Sequence, residues 1–267
     1  MICIIPQHAT SVRLPRKAFR KICGIPLVAW SVIQAKAAHC IDEVYVSTES
    51  EEIADICRYY GAKIIWRPES IQDNAFAASV PCEHAITELG LQDKHEPVLI
   101  KLATMPLLFP GDIDRLYDRF LEADEIPIGI GKQVVLGADV QEVVAYRKVR
   151  DPAENLCKAH YIDKSKKAVV VFGAMNATYA DEYLPSNQRM KWFFNSDGIK
   201  DAEIDDNLVE YSLLMGTALL YYVPCRQWQT FDIDDEQGFE IAEMFMEKKI
   251  LQGRGPEVYY EYARKRS

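Results

Sequence analysis

The sequence predicts an α/β protein, built as a doubly wound, mostly parallel sheet with a projecting arm. Three observations carry this expectation. Short β-branched runs alternate with helical stretches in the order β-α-β-α-β-α-β-α as far as Ala123. The run Pro97 to Ala103 (PVLIKLA) is almost entirely apolar, as a strand covered on both faces must be. The first strand ends in a polar, basic loop, and sheets of this class bind ligands beyond the C-terminal ends of their strands. At 267 residues the chain suits one domain, 1–267, long enough to bury a sizeable core.

Ile2 to Ile5 reads as a buried strand that stops at Pro6. Gly24-Ile25-Pro26 marks a turn, and Leu27 to Ala38 has helical composition. Val44 to Ser47 is the second strand. Ser50 caps a helix whose Ile53, Ile56, Cys57 and Tyr60 share a face, and Gly61 stops it. Ala62 to Trp66 is a third strand, closed by Pro68. Ser79, with Pro81 after it, opens a helix to about Leu89. After the fourth strand, Gly111 to Ala123 is amphipathic, with Ile113, Leu116, Phe120 and Leu121 expected inward.

Beyond Glu125 the rhythm changes. Pro127–Val135 and Val140–Val149 read as strands with no helix between them, and Lys167–Phe172 as another. Residues 150–215 read as an arm or excursion from the sheet. Its apolar MKWFF, Met190 to Phe194, suits either self-association or core packing. Ala218 to Val223 returns as a strand. Asp235 to Ile250 is a long helix with Phe239, Ala242, Phe245 and Met246 on its buried face.

Composition excludes several classes. A net charge of −9 argues against a general nucleic-acid binder. No apolar run approaches the roughly 20 residues that cross a bilayer, so no membrane association is expected. Seven scattered cysteines without a C-x-x-C spacing suit buried thiols in the cytoplasm, and no signal-peptide pattern opens the sequence. The five histidines show no metal-ligand spacing.

Charge is distributed unevenly. Arg13, Arg16, Lys17, Arg20 and Lys21 crowd the loop after the first strand, and no Asp or Glu precedes Asp42. Such a loop is either a solvated basic surface or an anion site. In the second case unpaired backbone N–H groups and Arg or Lys side chains together suit phosphate oxygens. Neither a P-loop nor a dinucleotide fingerprint is present. Near the other end of the sequence, FDIDDEQGFEIAE holds Asp232 and Asp234 two apart, so that an extended backbone projects both carboxylates from one face. That pair suits Mg²⁺, although Asp234 or Asp235 could equally be a helix cap.

Taken together, PQHATSVRLPRKAF, GIPLVAWSV, VYVSTESEEIADICRYYGAK, the RPESIQDNA loop and FDIDDEQGFEIAE resemble the sugar-acid cytidylyltransferases. These enzymes activate sialic acid and related nonulosonic acids, and Kdo, as CMP-sugars. The resemblance covers about residues 1–123 and 216–246. It implies a GT-A-like Rossmann nucleotidyltransferase fold, transfer of CMP from CTP to an acidic sugar, Mg²⁺ dependence, pyrophosphate release and commonly a homodimer. Residue by residue, Arg13 and Lys17 fall at the family's triphosphate-gripping positions. His8 and Ser11 lie in the same nucleotide loop, and Asp232 and Asp234 fall at its metal-binding positions.

The chain also departs from the family pattern. His8 stands where an Arg is usual, Leu102 to Leu108 replaces a more polar run, and Phe172 replaces an Asn before Gly173-Ala174. These changes imply a less polar pocket or partial loss of activity. Two other functions stay open on sequence: a GT-A glycosyltransferase, which also uses D-x-D, and a non-catalytic nucleotide-binding homologue. Against the glycosyltransferase stand the late position of D-x-D and the R-L-P-x-K loop.

Overall fold

The fold was analysed in a computed structural model. The structure describes residues 1–11, 14–68, 71, 79–125, 135–136, 141–142, 170–172, 175–180, 221–222, 226–230, 233 and 235–265. The N-terminal part follows the predicted alternation: β1 (Ile2–Pro6), β2 (Lys21–Ile22), β3 (Ile25–Pro26), α1 (Leu27–Ala37), β4 (Glu43–Thr48), α2 (Glu51–Tyr59), β5 (Lys63–Trp66), α3 (Ser79–Glu88), β6 (Pro97–Lys101) and α4 (Asp112–Glu125). Beyond it are β7 (Val135–Leu136), β8 (Gln141–Glu142), β9 (Val170–Phe172), β10 (Met175–Tyr179), β11 (Tyr221–Tyr222), α5 (Glu236–Phe245) and α6 (Glu257–Arg264).

The main sheet has the order β11-β9-β10-β6-β1-β4-β5. Its central strands β6, β1, β4 and β5 are parallel. From β1 the chain winds outward through β4 to β5, then returns across β1 to β6. The winding direction therefore reverses between β1 and β6, and the crevice beyond their C-terminal ends is where this topology places a ligand. Both faces are covered. Val28, Val32, Ile53, Cys57, Ile113 and Leu116 pack on one side of Cys3, Ile5, Val44, Val46 and Leu99. On the other side Cys82, Ala85 and Ile86 of α3 cover Ile4, Val98 and Ile100.

Helix α1 is apolar on nearly its whole circumference because it is buried all round. Its Val28, Val32 and Ala35 face the sheet, while Trp30, Ile33 and Ala37 meet Phe239, Ala242, Met246 and Tyr259 of the C-terminal helices. Helix α2 begins and ends as its sequence requires. The Ser50 hydroxyl accepts the Ile53 amide at 3.4 Å, and Gly61 takes a φ of 91° just beyond Tyr60.

Four expectations need correction. Leu121 is 43% exposed, because Ile113, Leu116 and Phe120 already span the buried stripe and Leu121 lies about 100° further round the helix. Gly24-Ile25-Pro26 is the second half of a hairpin, with Cys23 (φ 49°) and Gly24 (φ 81°) at the turn between β2 and β3. Within 150–215, Val170–Phe172 and Met175–Tyr179 are strands of the main sheet, antiparallel to each other, with β10 antiparallel to β6. Apart from the buried Ala180, the remainder of that stretch, including MKWFF, lies outside the described residues. The expected strands Pro127–Val135 and Val140–Val149 do so except for Val135 and Gln141–Glu142. Finally, Leu108 is buried in the main core at 3% exposure, so its apolar character serves packing.

Candidate active site

The candidate site lies beyond β1, where the loop from Gln7 to Arg20 leaves the sheet. The last sheet-like rung is the Gln7 amide donating to Ser47 O at 2.9 Å. From there a side chain directs the backbone: the Ala9 amide donates to Glu49 Oε1 at 2.9 Å. The same oxygen is 3.6 Å from His8 Nδ1, and the Thr10 hydroxyl is 3.0 Å from that nitrogen. Glu49 Oε2 receives Arg67 Nη2 at 2.5 Å, with the Arg67 side chain only 2% exposed. Burial alone would raise the Glu49 carboxyl, but the Ala9 amide and the Arg67 guanidinium outweigh it, so it sits below the usual range.

The second half of the loop turns back on itself. Arg16 adopts a left-handed conformation (φ 56°), and a single 3₁₀ turn, Lys17–Phe19, follows. Leu14 and Ala18 are buried and anchor this turn. The cations then divide. Arg16 pairs with Glu52 at 2.5 Å on the surface. Arg20 makes a bidentate pair with Glu236 at the start of α5 and lies over the Phe239 ring at 4.6 Å. Lys17 reaches across and donates to the Ile233 carbonyl.

Ile233 is the residue between Asp232 and Asp234. It is fully buried beside Leu14 and Leu107, and its amide donates to Thr104 O at 3.1 Å, just beyond β6. Three distant segments, from loop Gln7–Arg20, the end of β6 and the D-x-D region, therefore meet at one residue. Helix α5 starts immediately after, capped by Asp235, whose Oδ1 accepts the Gly238 amide at 2.7 Å. The Cys23 amide donates to Glu243 Oε1 at 2.7 Å, fixing the hairpin to the same helix.

Of the residues singled out by sequence, His8, Ser11 and Lys17 lie in this loop, and His8 and Ser11 are half-buried. Arg13, Asp232 and Asp234 lie outside the described residues, among which no cluster of three His, Cys, Asp or Glu could hold a metal. Leu102, Thr104 and Met105 are half-buried at the end of β6, at the reversal point. Sequence reasoning missed Glu49, Arg67 and Glu236, and named Arg20 only as one of the loop's cations. Arg67 directly follows the predicted strand Ala62–Trp66 and Glu49 comes two residues after Val44–Ser47, positions that on a parallel sheet lie toward the ligand end, and that signal was available.

Lys101, the last residue of β6, is fully buried and donates to the Ser31 hydroxyl of α1 at 3.0 Å. Desolvation pushes its pKa down to about 8, while the neighbouring Cys3 thiol is pushed up to about 12 by its own burial.

The sequence profile of the cytidylyltransferase family matches residues 2–188. The chain belongs to that family. The pseudaminic acid cytidylyltransferase of Campylobacter jejuni is 32% identical over 123 residues, covering 45% of this chain and 53% of the relative. The CMP-N,N'-diacetyllegionaminic acid synthase of Legionella pneumophila is 30% identical over 159 residues, covering 59% of this chain and 66% of its own length. A 3-deoxy-manno-octulosonate cytidylyltransferase of Acidobacterium capsulatum is 38% identical over 145 residues, or 51% of this chain and 58% of that protein. These matches bear out the resemblance to sugar-acid cytidylyltransferases, and the matched chain spans only about half to two thirds of these relatives. In fold, this cytidylyltransferase-family chain matches a CMP:2-keto-3-deoxy-manno-octonic acid synthetase complexed with CTP. That TM-score is 0.59 at 15% identity, covering 93% of this chain and 99% of the other. A cytidylyltransferase from Leptospira borgpetersenii matches with a TM-score of 0.52 at 13% identity, covering 99% and 93%.

Proposed function

We propose that this protein transfers CMP from CTP to an acidic sugar of the nonulosonic or Kdo type, releasing pyrophosphate, with Mg²⁺ as cofactor. The observation that carries this reading is the bond from Lys17 to the carbonyl of Ile233. It brings a cation of the basic loop onto Ile233, the residue between Asp232 and Asp234 in the sequence, near the reversal point of the sheet, and this supports the reading. A triphosphate and its counter-ion need both charges within a few ångströms of each other.

In this reading the sugar's anomeric hydroxyl attacks the α-phosphorus of CTP. The hydroxyl oxygen forms a bond to phosphorus as the bond to the bridging oxygen of pyrophosphate breaks, and the hydroxyl proton passes to water. Arg13 and Lys17 bind the triphosphate and stabilise the negative charge that collects on the leaving pyrophosphate. His8 and Ser11 orient the nucleotide within the loop. The Ala9 amide is already taken by Glu49, so the phosphate contacts come from side chains and from other amides of the loop. Asp232 and Asp234 would hold Mg²⁺, which supplies charge neutralisation between the attacking and leaving oxygens when bound. Two carboxylates flanking an anchored residue in the sequence suit an oxygen-seeking cation. Leu102 and Met105 at the end of β6 give this site a less polar wall than the family pattern, which bears on the choice of sugar.

We place the enzyme in the cytoplasm as a homodimer, on its scattered cysteines and on the MKWFF stretch. No helix among the described residues is long and apolar enough to cross a membrane. The test of function is to incubate the protein with each nucleoside triphosphate, Mg²⁺ and a panel of sugar acids while following pyrophosphate. Release that requires CTP and one of the acids supports the reading. Release with UTP and a neutral sugar phosphate, or release independent of the acid, would replace it.

A further inference from the structure

We propose that Glu49 is a positioning residue for the nucleotide loop, and that the buried Arg67 holds it in place. This rests on the nucleotide reading of that loop and names the parts that shape it. The loop's main chain loses its strand partner at Gln7, and the next described bond from a main-chain amide is that of Ala9 to Glu49, forty residues further along the chain. A side chain at the end of β4 thus sets where the backbone goes between β1 and Ser11. A lone glutamate on a surface loses rotamer freedom when held in one geometry, and such bonds are weak. Here Arg67, from the end of β5, occupies the other carboxylate oxygen at 2.5 Å, and its own amide is fixed to Thr48 O at 3.0 Å. A guanidinium that is 2% exposed requires an acid partner, since breaking a buried pair is far costlier than forming it is favourable.

Charge gives the pair a second role. An uncompensated carboxylate beside a triphosphate repels it, and this one lies within 3.6 Å of His8 in the same loop. Arg67 cancels that repulsion without leaving the core, so the loop gains an acceptor for its backbone at no net charge. The consequence is an asymmetry among variants. Removing Arg67 alone leaves both a loose loop and an uncompensated repulsive charge, whereas Glu49→Gln keeps an acceptor for Ala9 but leaves the buried guanidinium without its acid.

The experiment compares wild type with Glu49→Gln, Arg67→Lys, Arg67→Met and the double variant Glu49→Ala/Arg67→Met, which removes both charges of the pair. Two readouts are taken: amide hydrogen exchange in the peptide containing Ala9, and CTP affinity by calorimetry. The double variant should fold cooperatively, exchange at Ala9 about tenfold faster and bind CTP about tenfold more weakly. Arg67→Met should bind CTP more weakly still, and Arg67→Lys should recover most of the loss. Glu49→Gln keeps an acceptor for Ala9 but takes the acid from the buried guanidinium, so exchange at Ala9 should fall between wild type and the double variant. Wild-type exchange and CTP affinity in the double variant would reduce the pair to a scaffold contact and overturn the proposal. If wild type itself binds no CTP, the nucleotide reading fails, while the exchange rates still decide whether Glu49 positions the loop.

Discussion

The ammonium of Lys17 donates a hydrogen bond to the carbonyl of Ile233, 216 residues further along the chain. That contact joins the basic loop after the first strand to the residue that lies between Asp232 and Asp234 in the sequence. Lys17→Ala should therefore weaken CTP binding at least about tenfold by removing a charge-assisted contact. Affinity for the sugar acid should change far less. Calorimetric titration of each substrate checks this, and equal losses for both would mean that the residue only holds the fold together.

Asp232→Asn and Asp234→Asn should each lower turnover by about a hundredfold or more, as expected when a charge-neutralising cation is lost. Far-ultraviolet circular dichroism and the melting temperature should be unchanged. Near-normal turnover under saturating Mg²⁺ in both variants would remove these residues from the metal site.

Lys101 makes stability depend on pH. Its folded pKa, about 8, lies below its ordinary value of 10.5. Below about pH 8 both folded and unfolded chains hold the proton, and the burial penalty is present in full. Between about 8 and 10.5 the unfolded chain binds more protons, so stability rises with pH; above that range both states are neutral. The gain across this window is about 3 kcal/mol. Lys101→Met should be more stable than wild type near neutrality and lack that part of the rise. Denaturant titrations of the two proteins across the window decide it, because tyrosines and cysteines titrating in the same range affect both equally. Parallel curves would mean that Lys101 reaches water.

Tyr259 pins the C-terminal helix. Its hydroxyl donates to Leu108 O and accepts Gln34 Nε2 at 3.1 Å, and its ring packs 6.0 Å from that of Trp30. Tyr259→Phe leaves two buried polar groups short of a partner, which should cost about 1–2 kcal/mol, and Tyr259→Ala about 3–5 kcal/mol. Thermal melts give both values, and a Phe variant as stable as wild type would make the bonds dispensable.

What could be read from the sequence was local. Ser50 and Gly61 bracket α2 because capping chemistry lies within a few residues of the helix end, and β6 is legible because a strand covered on both faces has no polar alternation. Helix α6 was not seen, since Tyr259 owes its place to Gln34 and Leu108, which no window around residue 259 contains. The hairpin at Cys23-Gly24 was too short for a periodic signal. At the site, residue types in the basic loop and the D-x-D pair pointed to phosphate and metal. Their division of labour did not, because only the fold shows Arg16 and Arg20 committed to Glu52 and Glu236 while Lys17 turns to Ile233. Leu108 marks the same limit: its departure from the family pattern read as a change to the pocket, yet it packs in the core.

The most direct test is calorimetric titration of CTP into the wild-type protein, with and without Mg²⁺, repeated with Lys17→Ala and Asp232→Asn. One site shared by the two ends of the chain predicts CTP binding that Mg²⁺ strengthens. Each substitution should weaken it by about tenfold or more, with the double variant falling short of the sum of the two losses. CTP affinity unchanged by Mg²⁺ and by both substitutions would contradict it.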